Sequence, residues 1–295
     1  MNFTPLLFFT EIFYKYIVLC KAKDIKKIYG GKMKKIITLS VIFILICSVL
    51  TQNVFAKSTD MTQTKSWYIV KRVGSAPSFP PEAETVKKYG GIYLDERSAQ
   101  LGNKYIYLTF DAGYENGNVA RILDTLKAHN AGGAFFILEN LITRNPSLVE
   151  RMKNEGHLVC NHTAKHKDMT KLSEAEIERE LCALEKLYRE AFGCELAPFY
   201  RPPEGKFDRK SLGVAKKLGY HTAFWSLAYA DWDNCKQPDP EKAKKLLSEH
   251  LHNGAVILLH PTSQTNADIL DSLLTQWEKE GYRFGSLTEF TENKE

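Results

Sequence analysis

The sequence predicts an α/β fold, with about seven strand–helix units in a barrel-like arrangement rather than an open sheet. Two observations predict it. From Lys104 onward, apolar runs of strand length alternate with segments whose apolar residues recur every three or four positions. Four of the strand-like runs also end in chemically capable side chains: Tyr105–Asp111, His157–His166, Phe199–Gly205 and Val256–His260. In barrels of parallel strands the strand C-termini form one face, where residues distant in sequence converge. That pattern points to an enzyme.

The elements follow in order. Lys104–Phe110 reads as the first strand of the domain, and the apolar Val119, Ile122, Leu123 and Leu126 give the helix after it. Ala134–Leu138 and Leu158–Asn161 read as the next two strands. Ser173-Glu-Ala-Glu176 is a capping box that opens the clearest helix, with Ile177, Leu181, Leu184 and Tyr188 on one face. Pro198–Tyr200, Thr222–Leu227 and Ala255–Leu259 read as further strands. A helix carrying Ile269, Leu270, Leu273, Leu274 and Trp277 follows, and Tyr282–Phe284 supplies a last strand. No internal repeat or low-complexity tract interrupts the series.

The segment ahead of the domain reads differently. Met33-Lys34-Lys35, the uncharged run Ile36–Leu50 and Val54-Phe55-Ala56 have the charged start, apolar centre and small-residue end of a signal peptide over 33–56. The same run is also about long enough for an uncleaved anchor, given ~20 apolar residues per span. Either way the domain is expected outside the cytoplasm, with the membrane involved only through this N-terminal signal or anchor. Residues 1–32 put a second apolar patch ahead of a complete signal, so they read as an over-extended translation start. Residues 57–100 read as a linker and extension: Lys57–Ser66 is polar, Gly74–Pro81 is rich in Pro and Ser, and the fold is expected to start near 85–100. The catalytic-type segments then fall in a domain expected over 101–291.

Charge removes one class of function. The chain carries a net +5, but eight of its 40 Lys and Arg and two of its 35 Asp and Glu lie in 1–56, leaving 32 against 33. With no polybasic character left, nucleic acid is not an expected partner. Of six cysteines, Cys20 and Cys47 belong to the leader. Cys160, Cys182, Cys194 and Cys235 contain no Cys-x-x-Cys pair and read as thiols, since a domain this large needs no disulfide staple.

Several side chains carry the chemistry. His162 and His166 are spaced to face one way on a helical turn, a spacing that suits a divalent metal, although an isolated pair of this kind is more often structural. Asp111 ends an apolar run, and the Gly113 after it reads as a tight turn presenting the carboxylate; a helix-capping role fits Asp111 equally well. His260 stands at the end of Val256–Leu259 in the same way, or is a satisfied core residue. Arg201, before two prolines, is held extended and pairs either with Asp111 or with Asp231. Trp232 reads as a sugar-stacking wall or as core packing.

Taken in order, these segments resemble the polysaccharide deacetylase (NodB homology) family of carbohydrate esterases, family 4, over about residues 101–290. The motifs that carry the resemblance are Thr109-Phe-Asp-Ala-Gly113, His162 to His166, Arg201-Pro-Pro-Glu-Gly205, Asp231-Trp232 and Leu258-Leu-His260. Within the family, Gly113-Tyr114-Glu-Asn-Gly117 and Tyr89-Gly-Gly-Ile-Tyr-Leu94 look most like the de-N-acetylases that form muramic δ-lactam in spore cortex peptidoglycan. The resemblance implies a distorted (β/α) barrel and metal-assisted hydrolysis of an N-acetyl group on peptidoglycan strands. It implies a divalent ion, zinc or similar, on His162 and His166, with Asp111 as base and His260 as acid. It implies further that Asp231 orients His260, that Arg201 positions Asp111, that a backbone N–H near Glu204 helps the oxyanion, and that Tyr114, Trp232 and Leu258 bind substrate, Leu258 beside the acetyl methyl.

One departure stands out. Where the family commonly has a metal-binding carboxylate this chain has Ala112, so the ion is expected to be weakly held unless Glu115 or Asn116 swings in. That keeps open a secreted glycan-binding pseudoenzyme, and a chitin-type deacetylase remains the alternative substrate reading. A glycosidase would need two carboxylates flanking one bond.

Overall fold

The computed structural model describes residues 62–292 of the chain and, apart from them, the single residue Phe43. The expected start segment 1–32 and signal peptide 33–56 otherwise lie outside the described residues. Among the described residues no helix is long and apolar enough to cross a membrane.

In chain order the strands are β1 (Lys65–Ser66), β2 (Val70–Arg72), β3 (Ser75–Ser78), β4 (Tyr105–Ala112), β5 (Ala134–Ile137), β6 (Leu158–Asn161), β7 (Ala197–Tyr200), β8 (Lys206–Phe207), β9 (His221–Thr222), β10 (Leu227–Ala228), β11 (Ala255–Leu259) and β12 (Arg283–Phe284). A parallel sheet runs β10-β11-β4-β5-β6-β7-β9, with β12 paired to the start of β4. Helices connect the strands and cover the outside, giving the distorted (β/α) barrel. Such strands are buried on both faces, which is why they read as continuous apolar runs. In β4, Ile106, Leu108, Phe110 and Ala112 join the core cluster with Val119, Leu123 and Leu270 of the covering helices. The alternate residues Tyr107, Thr109 and Asp111 face the barrel interior.

The Ser173 capping box is formed, and helix Glu174–Phe192 buries Ile177, Leu181, Leu184 and Tyr188 before ending at Gly193, whose φ is 68°. The single strand expected over Thr222–Leu227 is instead divided between β9 and β10, the two ends of the sheet. Between them the chain crosses the barrel opening: Ala223 N donates to Tyr200 O at 2.7 Å, and Ser226 N to Val256 O at 2.9 Å. One apolar run thus serves two sheet ends, and period alone does not reveal the break.

The stretch expected to be a linker is folded. β1 pairs antiparallel with β8, β2 and β3 form a hairpin across Gly74, and Ile92 and Leu94 bridge to Ala223 and Ala255. The anchor is Trp67, 4% exposed. Its ring stacks on Phe224 at 4.6 Å and tilts against Tyr93 at 4.8 Å, while its Nε1 donates to Trp225 O at 2.9 Å. The physical reason is the gap between β9 and β10, which are not paired with each other. Residues 64–94 cover it with aromatic side chains that local Ser and Pro content does not disclose.

Trp67→Ala is therefore expected to destabilise the domain by about 3–5 kcal/mol, as for truncation of a fully packed aromatic. Urea unfolding measures it. A linker residue would lose less than about 0.5 kcal/mol.

Candidate active site

The site is built at the C-terminal ends of β4, β6, β7, β10 and β11. Arg201, directly after β7, is 0% exposed and its donors are matched. Nη1 donates to Asp111 Oδ1 at 2.8 Å, Nη2 to Thr109 Oγ1 at 2.8 Å, and Nε to Ala223 O at 3.0 Å. The guanidinium lies 4.2 Å from the centre of the Phe136 ring. Of the two carboxylates open to Arg201 in the sequence, the partner is Asp111. Burial pushes the Asp111 carboxyl up, but Arg201, His162 and His260 outweigh it, so the net shift is downward and the group is an anion at neutral pH.

His162 follows β6. Its Nδ1–H donates to the carbonyl of Arg201 at 2.8 Å, and because a carbonyl only accepts, Nε2 holds the lone pair. Burial lowers its pKa to about 4 against the opposing pull of Asp111, so the ring is neutral. Nε2 lies 3.6 Å from Asp111 Oδ2. His166 comes within 4.9 Å of His162, ring centre to ring centre. The expectation of a helical turn is corrected: 162–166 is a loop, with Thr163 at φ 72° and His166 at φ 55°. Thr163 Oγ1 accepts from His166 N at 2.9 Å, and Asn161 Oδ1 from Thr163 N at 2.8 Å, so the loop holds this strained shape through its own side chains.

His260 follows β11. Its Nδ1–H donates to Asp231 Oδ1 at 2.7 Å and its backbone N–H to Asp231 Oδ2 at 2.8 Å. Asp231, 1% exposed, also accepts from Asn266 Nδ2 at 2.6 Å, and Asn266 in turn accepts from Tyr229 Oη. Burial pulls the His260 pKa down, but Asp231 and then Asp111 overcome it, and the net shift is upward. An imidazolium with Nδ1 occupied leaves Nε2–H as the transferable proton.

These groups share a groove of about 950 Å³. Asp111, Tyr114, His162, His166, Glu204, Trp232, Leu258 and His260 all line it, whereas Arg201 and Asp231 stand behind it. Trp232 is 62% exposed, so of its two sequence readings core packing is excluded; its ring is 6.2 Å from that of His260. Tyr114 is 43% exposed and bonded to Asn234. Glu204 has φ 57° and its carboxylate is paired with Lys206. Gly205, at φ 65°, admits no side chain because a Cβ would meet Trp225 at 2.7 Å. Gly113 serves close packing rather than a left-handed turn: its Cβ would meet Leu138 at 3.0 Å.

The side chain of Ala112 lies in the apolar cluster, 0% exposed, and does not line the groove. Neither suggested replacement turns toward the histidines, since Asn116 Nδ2 donates to Thr262 O at 2.8 Å and Glu115 accepts from Gly117 N. Among the described residues no group of three or more His, Cys, Asp or Glu side chains is arranged to hold a metal ion unaided. The donors at His162 and His166 nonetheless suit a divalent ion. One lone pair is fixed outward, the ring is neutral, and a carboxylate anion lies beside it.

Residues 98–223 match the family model for polysaccharide deacetylase. The peptidoglycan-N-acetylmuramic acid deacetylase PdaA of Bacillus subtilis is 37% identical over 225 residues, 73% of this chain and 82% of that protein. The chain belongs to the polysaccharide deacetylase family. The PdaA structure, a family 4 carbohydrate esterase, superposes with a TM-score of 0.74 at 34% identity, covering 79% of this chain and 99% of that one. The peptidoglycan-N-acetylglucosamine deacetylase PgdA of Listeria monocytogenes is 33% identical over 63% of this chain and 39% of its own length. A Bacillus anthracis family 4 pseudoenzyme, BA3943, superposes with a TM-score of 0.59 at 27% identity, over 63% of this chain and 65% of its own.

Sequence reasoning missed several residues that line or stand behind this deacetylase's groove. Thr109 lies within a quoted motif, but its bonds to Arg201 and to Ile257 O at 2.6 Å were not anticipated. Asn266 and Tyr229 carry no local signal. Ile69 and Lys71 line the groove from the segment expected to be a linker.

Asp231→Asn is expected to lower the His260 pKa by about a unit or more, because burial then acts with its main opponent neutralised. Titration of the imidazole by NMR reads the shift, and an unmoved pKa would mean that Asp231 does not set the charge of His260.

Proposed function

We propose that this deacetylase hydrolyses the acetamide of N-acetylmuramic acid in peptidoglycan strands freed of peptide, supplying the amine that closes to muramic δ-lactam in spore cortex. The reading is carried by one observation: an Arg201-bound Asp111 anion and an Asp231-bound His260 line the same groove as the His162 and His166 imidazoles. The choice of sugar is supported by similarity to PdaA, and by the Gly113–Gly117 motif. Loss of the acetyl group leaves the muramic amine beside its own lactyl carboxyl, and intramolecular closure of this kind is strongly favoured. The expected site of action is outside the cytoplasm, in the wall or between the forespore membranes.

In the proposed mechanism Asp111 takes a proton from water as its oxygen adds to the acetamide carbon. Arg201 keeps Asp111 ionised and aimed. The tetrahedral oxyanion accepts a hydrogen bond from a backbone N–H near Glu204. As the C–N bond breaks, His260 Nε2–H protonates the departing amine, acetate leaves, and Asp231 stabilises the imidazolium until that moment. A divalent ion held by His162 and His166 would supply Lewis-acid polarisation of the carbonyl when bound. Trp232 and Tyr114 offer the sugar its stacking faces, and Leu258 the acetyl methyl its apolar wall.

A glycan-binding pseudoenzyme is the second reading, favoured by Ala112 and by the likeness to BA3943. Acetate release separates the two. Wild-type protein supplied with zinc is expected to release acetate from peptide-stripped strands, and Asp111→Asn and His260→Ala to lower kcat by about 10²-fold or more. No acetate from wild type would leave the pseudoenzyme standing, and a near-wild-type rate for either variant would reassign that residue. The rate is expected to fall as pH rises through the His260 pKa, with a midpoint above the ordinary 6.5, because the acid form is the working one.

A further inference from the structure

Lys71 enters the groove from an unexpected quarter. In the extended chain around β2, alternate residues face opposite ways: Ile69 and Lys71 line the groove, while Val70 is 57% exposed and Arg72 bonds to Ser78 on the outside. β2 is held over the opening by its neighbours, with Trp67 N donating to Gly205 O at 2.8 Å and Gly74 N to Glu249 O at 2.8 Å. The fixed charges of the lining are otherwise neutralised locally. Asp111 is bonded to Arg201 at 2.8 Å and Glu204 to Lys206 at 2.6 Å. Among the described residues Lys71 has no carboxylate within ion-pair distance, although it is half-buried.

We infer that Lys71 is the specificity residue for the substrate's free lactyl carboxylate, which it binds as an ion pair across the groove from the acetamide site. The inference rests on the muramic acid reading above and deepens it. The lactyl ether stands on the sugar carbon next to the one bearing the acetamide, so an acetamide set against Asp111 and His260 brings its carboxylate to the wall of the same groove. Burial alone pulls the Lys71 ammonium below its ordinary value, and an incoming carboxylate offsets that strain. A peptide on the lactyl group converts the carboxylate to a neutral amide and adds bulk, leaving the ammonium unpaired. N-acetylglucosamine has no such group at all. Lys71 thereby distinguishes the stripped muramic residue from both of its neighbours in peptidoglycan.

The test uses the full chain, peptide-stripped strands with free lactyl carboxylates, and the same strands with those groups converted to methylamides. Wild type is expected to show a KM about tenfold lower for the free acid, the size of one charged hydrogen bond, with kcat changed by less than about twofold. In Lys71→Met the free-acid KM rises to meet that of the methylamide and the preference disappears, while Lys71→Arg retains it. Because the readout is a ratio between two substrates on one protein, a partial folding loss does not mimic it. If wild type prefers the free acid and Lys71→Met does so equally, the assignment of Lys71 is overturned and the substrate reading stands. If wild type takes both strands with equal KM, the carboxylate is not recognised and the assignment of Lys71 is overturned while the substrate reading stands; if it turns over neither, the substrate reading falls and this inference with it.

Discussion

A guanidinium with no solvent exposure sits at the centre of this barrel, and its bonds tie together strands β4 and β7, which are not neighbours in the sheet, and the crossing between β9 and β10. Arg201 joins the end of β7 to Asp111 and Thr109 of β4 and to the backbone at Ala223, where the chain leaves β9 for β10. Its carbonyl also fixes His162. A buried charge is tolerable only when fully paired, and removing one partner of such a pair typically destabilises by about 3–5 kcal/mol. Lysine would not substitute, since a single ammonium cannot reach carboxylate, hydroxyl and carbonyl in one plane. The same bonds that satisfy Arg201 hold the Asp111 carboxylate ionised and aimed at the imidazole pair. Stability and chemistry here are one arrangement.

The two titratable centres are set apart by their neighbours. Asp111, beside a permanent cation, is shifted toward the base form; His260, beside Asp231, is shifted toward the acid form. Both oppose the burial that would otherwise neutralise them, so each depends on a partner behind the groove. The Tyr229–Asn266–Asp231 chain extends that support, because Asp231 would otherwise lie buried with an oxygen less well matched.

Much of this was legible in the sequence, for a physical reason: strands buried on both faces read as apolar runs, and the catalytic-type residues stand at their ends. Asp111, His162, Arg201 and His260 each follow such a run, and the Ser173 capping box marks its helix to the residue. What stayed hidden depends on tertiary contact. The gap between β9 and β10 appears only once the sheet is assembled, so nothing local announces that Trp67 and Tyr93 must cover it, or that β2 brings Lys71 to the groove. The helical turn expected for His162 and His166 failed because spacing does not reveal a loop bonded through Asn161 and Thr163. The motif that implies a metal-binding carboxylate at Ala112 likewise does not show that the Ala112 side chain packs into the apolar cluster.

The most direct test of the account is residue-resolved mass analysis of peptide-stripped peptidoglycan strands treated with the full chain and zinc in ¹⁸O-labelled water. The account predicts loss of acetyl groups from muramic residues, glucosamine residues left acetylated, no new reducing ends, and one ¹⁸O in each acetate released. Deacetylation confined to glucosamine residues, or strands cleaved with every acetyl group intact, would contradict it.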